Sequence, residues 1–341
     1  MQRRLPAEWE EQEAVLLAWP HVNSDWCEDL ALVEPVFVAI AAAIARFQRV
    51  LIVAPETAPI AEQLHRAGVD LERVSLYTLP TNDTWARDFG PITIFEEDEP
   101  VLYDFGFNGW GLKFAAHFDN RITAELARLG VFGQRRVSVP GLILEGGSIE
   151  SDGAGTLLTT AQCLLEANRN PHLTRAELEE KLRELFGVDH VLWLEHGYLA
   201  GDDTDSHIDT LARLAPDNTI LYVKCTDEQD EHYRALALME TELRALRTRA
   251  GGRFRLFPLP WPQACLGDEG ERLPATYANF LVINDAVLVP TYDDPADAEA
   301  CAVIGRAFPG REIVPIDCRA LIRQHGSLHC VTMQLPKGVP A

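Results

Sequence analysis

The sequence predicts an α/β fold made of five related units. An apolar strand, a polar break, an amphipathic helix and a second apolar strand recur in that order along the 341 residues. Shared evenly, each unit takes roughly 65 residues, a length expected of repeat or propeller architectures. Acidic, histidine and cysteine side chains fall within about a dozen residues of the second strands, a normal connection length. Loops on one face of a closed sheet would bring such positions together. An open α/β sheet has the same alternation, so closure of the ring stays open at this point.

First strands are read at Leu51-Ile52-Val53, Leu157-Leu158-Thr159, Leu221-Tyr222-Val223 and Val287-Leu288-Val289. Polar residues and a helical period follow each. The plainest helix start is Thr174, which forms a capping box with Glu177 ahead of Leu178, Leu182 and Leu185. Second strands are read at 74–77, 191–194, 254–257 and 313–316. A less regular unit runs from Val101-Leu102-Tyr103 through a helical stretch at 122–129 to a strand at 136–139. Leu16-Leu17-Ala18 and a helix after Pro35 remain, and they complete the last unit if the ring closes. No Gly/Ser linker divides the chain, so residues 1–341 are read as one domain of five pseudo-symmetric units.

Net charge is −22, from 52 acidic residues against 30 Lys and Arg. Such a field repels nucleic acid and anionic membranes and favours encounter with small cations. A solubility role would explain the same number. Cys27, Cys163, Cys225, Cys265, Cys301, Cys318 and Cys330 are odd in number and show no regular spacing, which does not read as a disulfide framework or zinc module. The basic start at Arg3 and Arg4 runs directly into Glu8, Glu10, Glu11 and Glu13, without the apolar stretch of a signal peptide. The longest apolar run, 36–45, is half a membrane span and reads as a buried helix. A soluble cytoplasmic protein is expected, with neither nucleic-acid nor membrane partner; the sequence permits a homo-oligomer.

Four segments carry chemistry. Cys330 lies in Gln324-His325-Gly326-Ser327-Leu328-His329-Cys330-Val331-Thr332, whose alternation from Leu328 to Thr332 reads as a strand. A free cysteine is most often a small buried hydrophobe, and the other six keep that reading. Gly326-Ser327 and the flanking histidines set Cys330 apart as a nucleophile candidate. His207 follows Asp202, Asp203 and Asp205 and precedes Asp209, a pattern that does not match an EF-hand loop. A solvated acidic turn has the same composition. On an extended chain His207 and Asp209 would face one side and could present an acid/base group and a carboxylate to one ligand. Asp88 sits in Trp85-Ala86-Arg87-Asp88-Phe89-Gly90-Pro91, where a salt-bridged loop is the plainer role. Glu145 precedes Gly146-Gly147, where missing side chains allow close backbone approach. The fourth unit offers Tyr277-Ala278-Asn279-Phe280. Zinc on His325, His329 and Cys330 would need a helix that Gly326 and the strand-like pattern oppose, so no metal is expected.

These motifs, together with Glu8-Trp9-Glu10, Trp19-Pro20, Leu144-Glu145-Gly146-Gly147-Ser148 and His329-Cys330-Val331-Thr332, run end to end along the chain. In that order the sequence resembles the agmatine deiminase family, a branch of the guanidine-modifying enzymes that includes bacterial-type peptidylarginine deiminase. The resemblance implies a pseudo-fivefold α/β propeller with a central site and no metal or organic cofactor. It departs from the family pattern at Ser206, where glycine is usual, and before the nucleophile, where the family has Gly-Gly-Gly-Asn-Ile-His-Cys.

The implied substrate is a small cationic guanidino compound, with agmatine first. Asp88 and Asp209 would each pair with guanidinium N–H groups. Cys330 would attack as thiolate, and His207 would donate to the leaving ammonia and then activate water. By resemblance, Glu145 hydrogen-bonds His207 and raises its pKa. Trp85, Asp203, Asp205 and Asn279 are the further substrate-binding candidates, Trp85 through its aromatic face. Free arginine would want a cationic partner for its carboxylate, and only Arg87 and Arg213 offer themselves. The alternatives are a deiminase of arginine or peptidyl-arginine, a cysteine hydrolase of amides, and a noncatalytic polyamine-binding protein that would tolerate loss of Cys330.

Overall fold

A computed structural model describes residues 2–340. Its strands form five small sheets. Each contains a parallel pair that matches a unit of the sequence pattern. Arg49–Ala54 runs parallel to Val74–Thr78, Thr156–Thr160 to His190–Leu194, and Thr219–Val223 to Arg255–Leu259. Ala286–Thr291 pairs with Glu312–Asp317, and Glu99–Tyr103 with Arg136–Ser138. Parallel pairing requires a crossover connection, and helices supply it. Arg175–Phe186 is one such helix. Its Thr174–Glu177 capping box forms, Gly187 ends it in the left-handed region at φ 66°, and Leu178, Leu182 and Phe186 are its buried face.

The hairpin partner of each unit was not legible. Ile92–Glu96, Ile149–Ser151, Ala212–Ala215 and Leu281–Ile283 pair antiparallel with the first strand of their units. At three to five residues they are too short for an alternation to stand out.

The two ends of the chain meet in one sheet, though not as the sequence suggested. Gln12–Ala18 lies between Arg49–Ala54, parallel, and Thr332–Pro336, antiparallel. The C-terminal strand therefore completes the first unit, whereas the N-terminal segment was expected to complete the last. Residues 14–18 are all buried, so this strand needs a partner on both edges. The helix Leu30–Ala45 starts ahead of Pro35, which lies inside it, and buries Val33, Phe37, Ile40 and Ile44. Among the described residues no helix is long and apolar enough to cross a membrane.

Candidate active site

Cys330 stands in a turn directly ahead of Thr332–Pro336, not in a strand. Asn279 imposes the turn. Its Oδ1 accepts the N–H of His329 at 2.9 Å and that of Cys330 at 3.3 Å, and its backbone carbonyl accepts His329 N–H as well. The Cys330 thiol donates to the same Oδ1 at 3.4 Å. A carbonyl of the turn is used in its turn, since Arg87 N–H donates to Cys330 O at 3.1 Å. That bond fixes the short helix Ala86–Phe89, and with it Asp88, beside the thiol.

Asp88 is fully engaged. Its Oδ1 accepts the N–H of Gly147 at 3.0 Å and its Oδ2 the indole N–H of Trp110 at 2.9 Å. His207 Nδ1 lies 3.6 Å from Asp88 Oδ1, and neither ring nitrogen has a hydrogen-bond partner among the described residues. His207 and Asp209 belong to a tight turn, with a 3₁₀ helix at Ile208–Thr210, where an extended segment was expected. The turn still brings both to one place. A Cβ on Gly147 would lie 2.6 Å from His207 Nδ1, 2.9 Å from Asp88 Oδ1 and 3.1 Å from Asp209 Oδ2. Only glycine lets the three groups close around that backbone.

Asp209 is held by Oδ2, 2.7 Å from His329 Nδ1, while its Oδ1 has no partner among the described residues. Glu145 does not bond His207, contrary to the expectation from the family. Both of its oxygens lie 3.0 Å from Arg169 Nε, in a fully buried ion pair. Arg169 wins because an unpaired buried guanidinium would be far more costly than an unpaired imidazole.

The electrostatics follow from this layout. Burial, then the charge of Asp209, pushes Asp88 well above the usual carboxylate range, and the Trp110 bond only partly offsets them. Burial acts on Asp209 in the same sense, but the hydrogen bond and charge of His329 overcome it and hold Asp209 below its ordinary value. Burial, followed by Asp209 and Asp88, raises the Cys330 thiol well above its normal range. Burial lowers His207 to about 3, against the opposing pull of Asp209. Burial thus pushes Asp88, the Cys330 thiol and the His207 imidazole toward their neutral forms, while His329 holds Asp209 toward its anion.

A cavity of about 160 Å³ opens onto Cys330 and Asp88. Trp85 and Asp203 line it, with Trp110, Phe114, Asp25, Asp83, Asp202 and His325. Asp205 does not; its carboxylate is taken by Arg169 and Lys113, each at 2.8 Å. Asn279 does not line it either, because it is spent on the Cys330 turn. Arg87 and Arg213 are buried among Gln334, Glu8 and Glu150 and do not line the cavity. Sequence reasoning missed Trp110 and Asp83. The Gly109-Trp110-Gly111 motif was the available signal: all three residues have left-handed backbone, at φ 69°, 55° and 83°.

Two groups of ligand-type atoms lie within 4.8 Å of one another, Glu145 with Cys163 and His207, and Glu8 with Glu150 and His329. A guanidinium already pairs with a carboxylate of each, Arg169 with Glu145 and Arg213 with Glu8 and Glu150. His325 and His329, considered together for zinc, turn to different carboxylates, Asp203 and Asp209.

Residues 4–336 match the family described as Porphyromonas-type peptidyl-arginine deiminase. The chain belongs to that family. An agmatine deiminase of Pseudomonas aeruginosa is 34% identical over 356 residues, covering 98% of this chain and 95% of the relative. The structure of a C. jejuni agmatine deiminase with substrate bound superposes with a TM-score of 0.92 at 40% identity, over 99% of this chain and 97% of that one. A Porphyromonas gingivalis structure, named as a candidate arginine deiminase, superposes with a TM-score of 0.95 at 51% identity over 100% of both chains. Family membership accounts for the mixed α/β fold of several small sheets, and the family's names divide between agmatine and arginine.

Proposed function

We propose that this protein hydrolyses the guanidinium of agmatine to N-carbamoylputrescine and ammonia through a covalent amidino-cysteine. The supporting observation is the company Cys330 keeps. One thiol faces a cavity whose described lining carries Asp25, Asp83, Asp88, Asp202 and Asp203, a single imidazole from His325, and no lysine or arginine. That lining suits a ligand cationic at both ends. The α-carboxylate of arginine would meet like charge, and the one imidazole there, His325, is already held by Asp203 at 2.6 Å.

The steps follow from the resting charges. A guanidinium entering between Asp88 and the free Oδ1 of Asp209 brings a positive charge to a site that burial and two acids keep protonated. Asp88 then ionises, releasing its proton to solvent, and the Cys330 proton passes to His207, giving thiolate and imidazolium. The thiolate adds to the guanidinium carbon. The imidazolium gives its proton to one nitrogen, which leaves as ammonia, and an amidino-thioether remains. Neutral His207 then takes a proton from water and the hydroxide adds to the same carbon. Collapse expels the cysteine sulfur, which regains a proton from His207, and the ureido product leaves as the departing ammonia takes up the proton of the new hydroxyl. Glu145 supports His207 through packing and through the Arg169 pair, with no direct hydrogen bond. Trp85 and Asp203 would face the substrate's methylene chain and distal amine. The five sheets, as blades of one pseudo-fivefold propeller domain spanning 1–341, would set these loops around a common axis.

Ammonia release from agmatine, arginine and peptidyl-arginine, measured side by side, tests the assignment. Agmatine is expected to lead arginine at least about tenfold in kcat/KM, a difference of about 1.4 kcal/mol. Equal turnover of arginine would keep the chemistry and remove agmatine as the substrate.

A further inference from the structure

Behind Asp209 lies a buried ionic group that the reaction above does not use. His329 touches a carboxylate with each ring nitrogen: Nδ1 is 2.7 Å from Asp209 Oδ2, and Nε2 is 2.7 Å from Glu8 Oε2. Arg213 donates to Glu8 at 2.9 Å, pairs with Glu150 and stands 3.1 Å from His329 Nε2. Every one of these side chains is buried.

A neutral imidazole has one N–H. If it sits on Nδ1, it donates to Asp209, and Nε2 accepts from Arg213 while also facing Glu8 Oε2 at 2.7 Å. If the ring is cationic, it donates to both carboxylates. The remaining tautomer would set the Nδ1 lone pair against Asp209 Oδ2 at 2.7 Å and its Nε2–H against the Arg213 donor, so it is doubly repelled. The first two states place a donor on Asp209 Oδ2 and leave Oδ1 as a buried carboxylate oxygen without a partner. Such an oxygen is costly unless a donor arrives, and a guanidinium N–H is one.

We infer that His329 is a positioning residue for the reaction: it grips Asp209 by Oδ2, turns Oδ1 toward the substrate guanidinium, and is itself braced by Glu8 from the N-terminal segment. This rests on the deiminase reading. Asp88, His207, Cys330, Arg213 and Arg87 also bear on the charge of Asp209. Burial opposes its ionisation, and the hydrogen bond from His329 is the largest influence favouring it, ahead of His207 and Arg213.

The test separates the two nitrogens. In His329→Asn the amide N–H can replace Nδ1; in His329→Gln it reaches the place of Nε2. On agmatine, the Asn variant is expected to keep kcat/KM within about tenfold of wild type. The Gln variant is expected to lose about 100-fold or more, with KM for agmatine raised more than kcat is lowered. Melting temperatures of both variants show whether each is folded. Equal losses with the same split between KM and kcat in the two folded variants would overturn the inference. If the Gln variant does not fold, Glu8→Gln takes its place: a smaller rise in KM is expected, and an unmoved KM would overturn the bracing role. A wild-type protein inert on agmatine would remove the functional reading and this inference together. An active wild type with indistinguishable variants would remove this inference alone.

Discussion

Trp110 donates its indole N–H to Oδ2 of Asp88 across 2.9 Å. The donor stands on a left-handed residue between two glycines, so the backbone is bent to deliver it. Its target is a carboxylate that burial drives toward the neutral form. The bond therefore opposes protonation of the group that, in the proposed reaction, must be anionic to hold a guanidinium. Trp110→Phe keeps the ring and removes the donor. A hydrogen bond to a charged group contributes about 1.5–3 kcal/mol, so kcat/KM on agmatine should fall roughly 10- to 100-fold at neutral pH. The sign in pH is fixed. Activity is lost as pH falls through the Asp88 pKa, so the acid limb should move upward. A profile that scales down without shifting would mean that Trp110 only packs.

Agmatine binding should expel a proton. Burial in the free site pushes Asp88 toward its neutral form, and the bound guanidinium favours its anion. Cys330→Ser removes the thiol as a second source. Titration calorimetry of that variant at about pH 7, in two buffers of different ionisation enthalpy, should report net proton release. Identical heats in both buffers would show that Asp88 is already ionised.

Cys330→Ala should abolish turnover, and Cys225→Ala, with its thiol buried against Asp227, should not. Acid quench with agmatine followed by mass spectrometry of the wild type should place an amidino adduct on Cys330. Full activity in the Cys330 variant would remove it as the nucleophile.

Asp88→Asn and Asp209→Asn should each reduce kcat/KM by about two to four orders of magnitude. Each change removes a charge-assisted bond worth about 3 kcal/mol and leaves the substrate poorly aligned. Near-normal kinetics in either variant would place the guanidinium elsewhere.

Gly147→Ala tests the convergence itself. Gly147 does not belong to the left-handed glycines, so alanine brings no backbone strain. It brings a methyl 2.6 Å from His207 Nδ1 and 2.9 Å from Asp88 Oδ1. Something must move, and the movable groups are the proposed acid/base and guanidinium-binding side chains. A loss of about 100-fold in kcat is expected with only a modest change in melting temperature, since misplacement by about 1 Å can have that effect. Wild-type kcat would show that these groups have slack.

The sequence was most legible where structure is local. Val50 faces Val74, Leu157 faces Val191 and Val287 faces Ile313, as apolar runs separated by a helix suggested. Thr174 and Glu177 likewise form the cap that their spacing announced. Legibility ended where distant partners decide. Leu328 to Thr332 alternates like a strand, yet Asn279 bends it into a turn. Glu145 prefers Arg169, which lies on another segment, and no spacing rule connects the two. Asp205 looked available for substrate until Lys113 and Arg169 were seen to hold it. Ion-pair choices of this kind belong to the folded assembly, and a linear pattern does not encode them.

Because Thr332–Pro336 pairs with Gln12–Ala18, the Cys330 turn is placed by residues far from it in sequence. That turn also needs Asn279, and His329 beside it needs Glu8. Contacts so far apart in sequence form slowly. The local strand–helix units should therefore fold ahead of the turn, and a refolding chain regains its strands before its proposed nucleophile is in position.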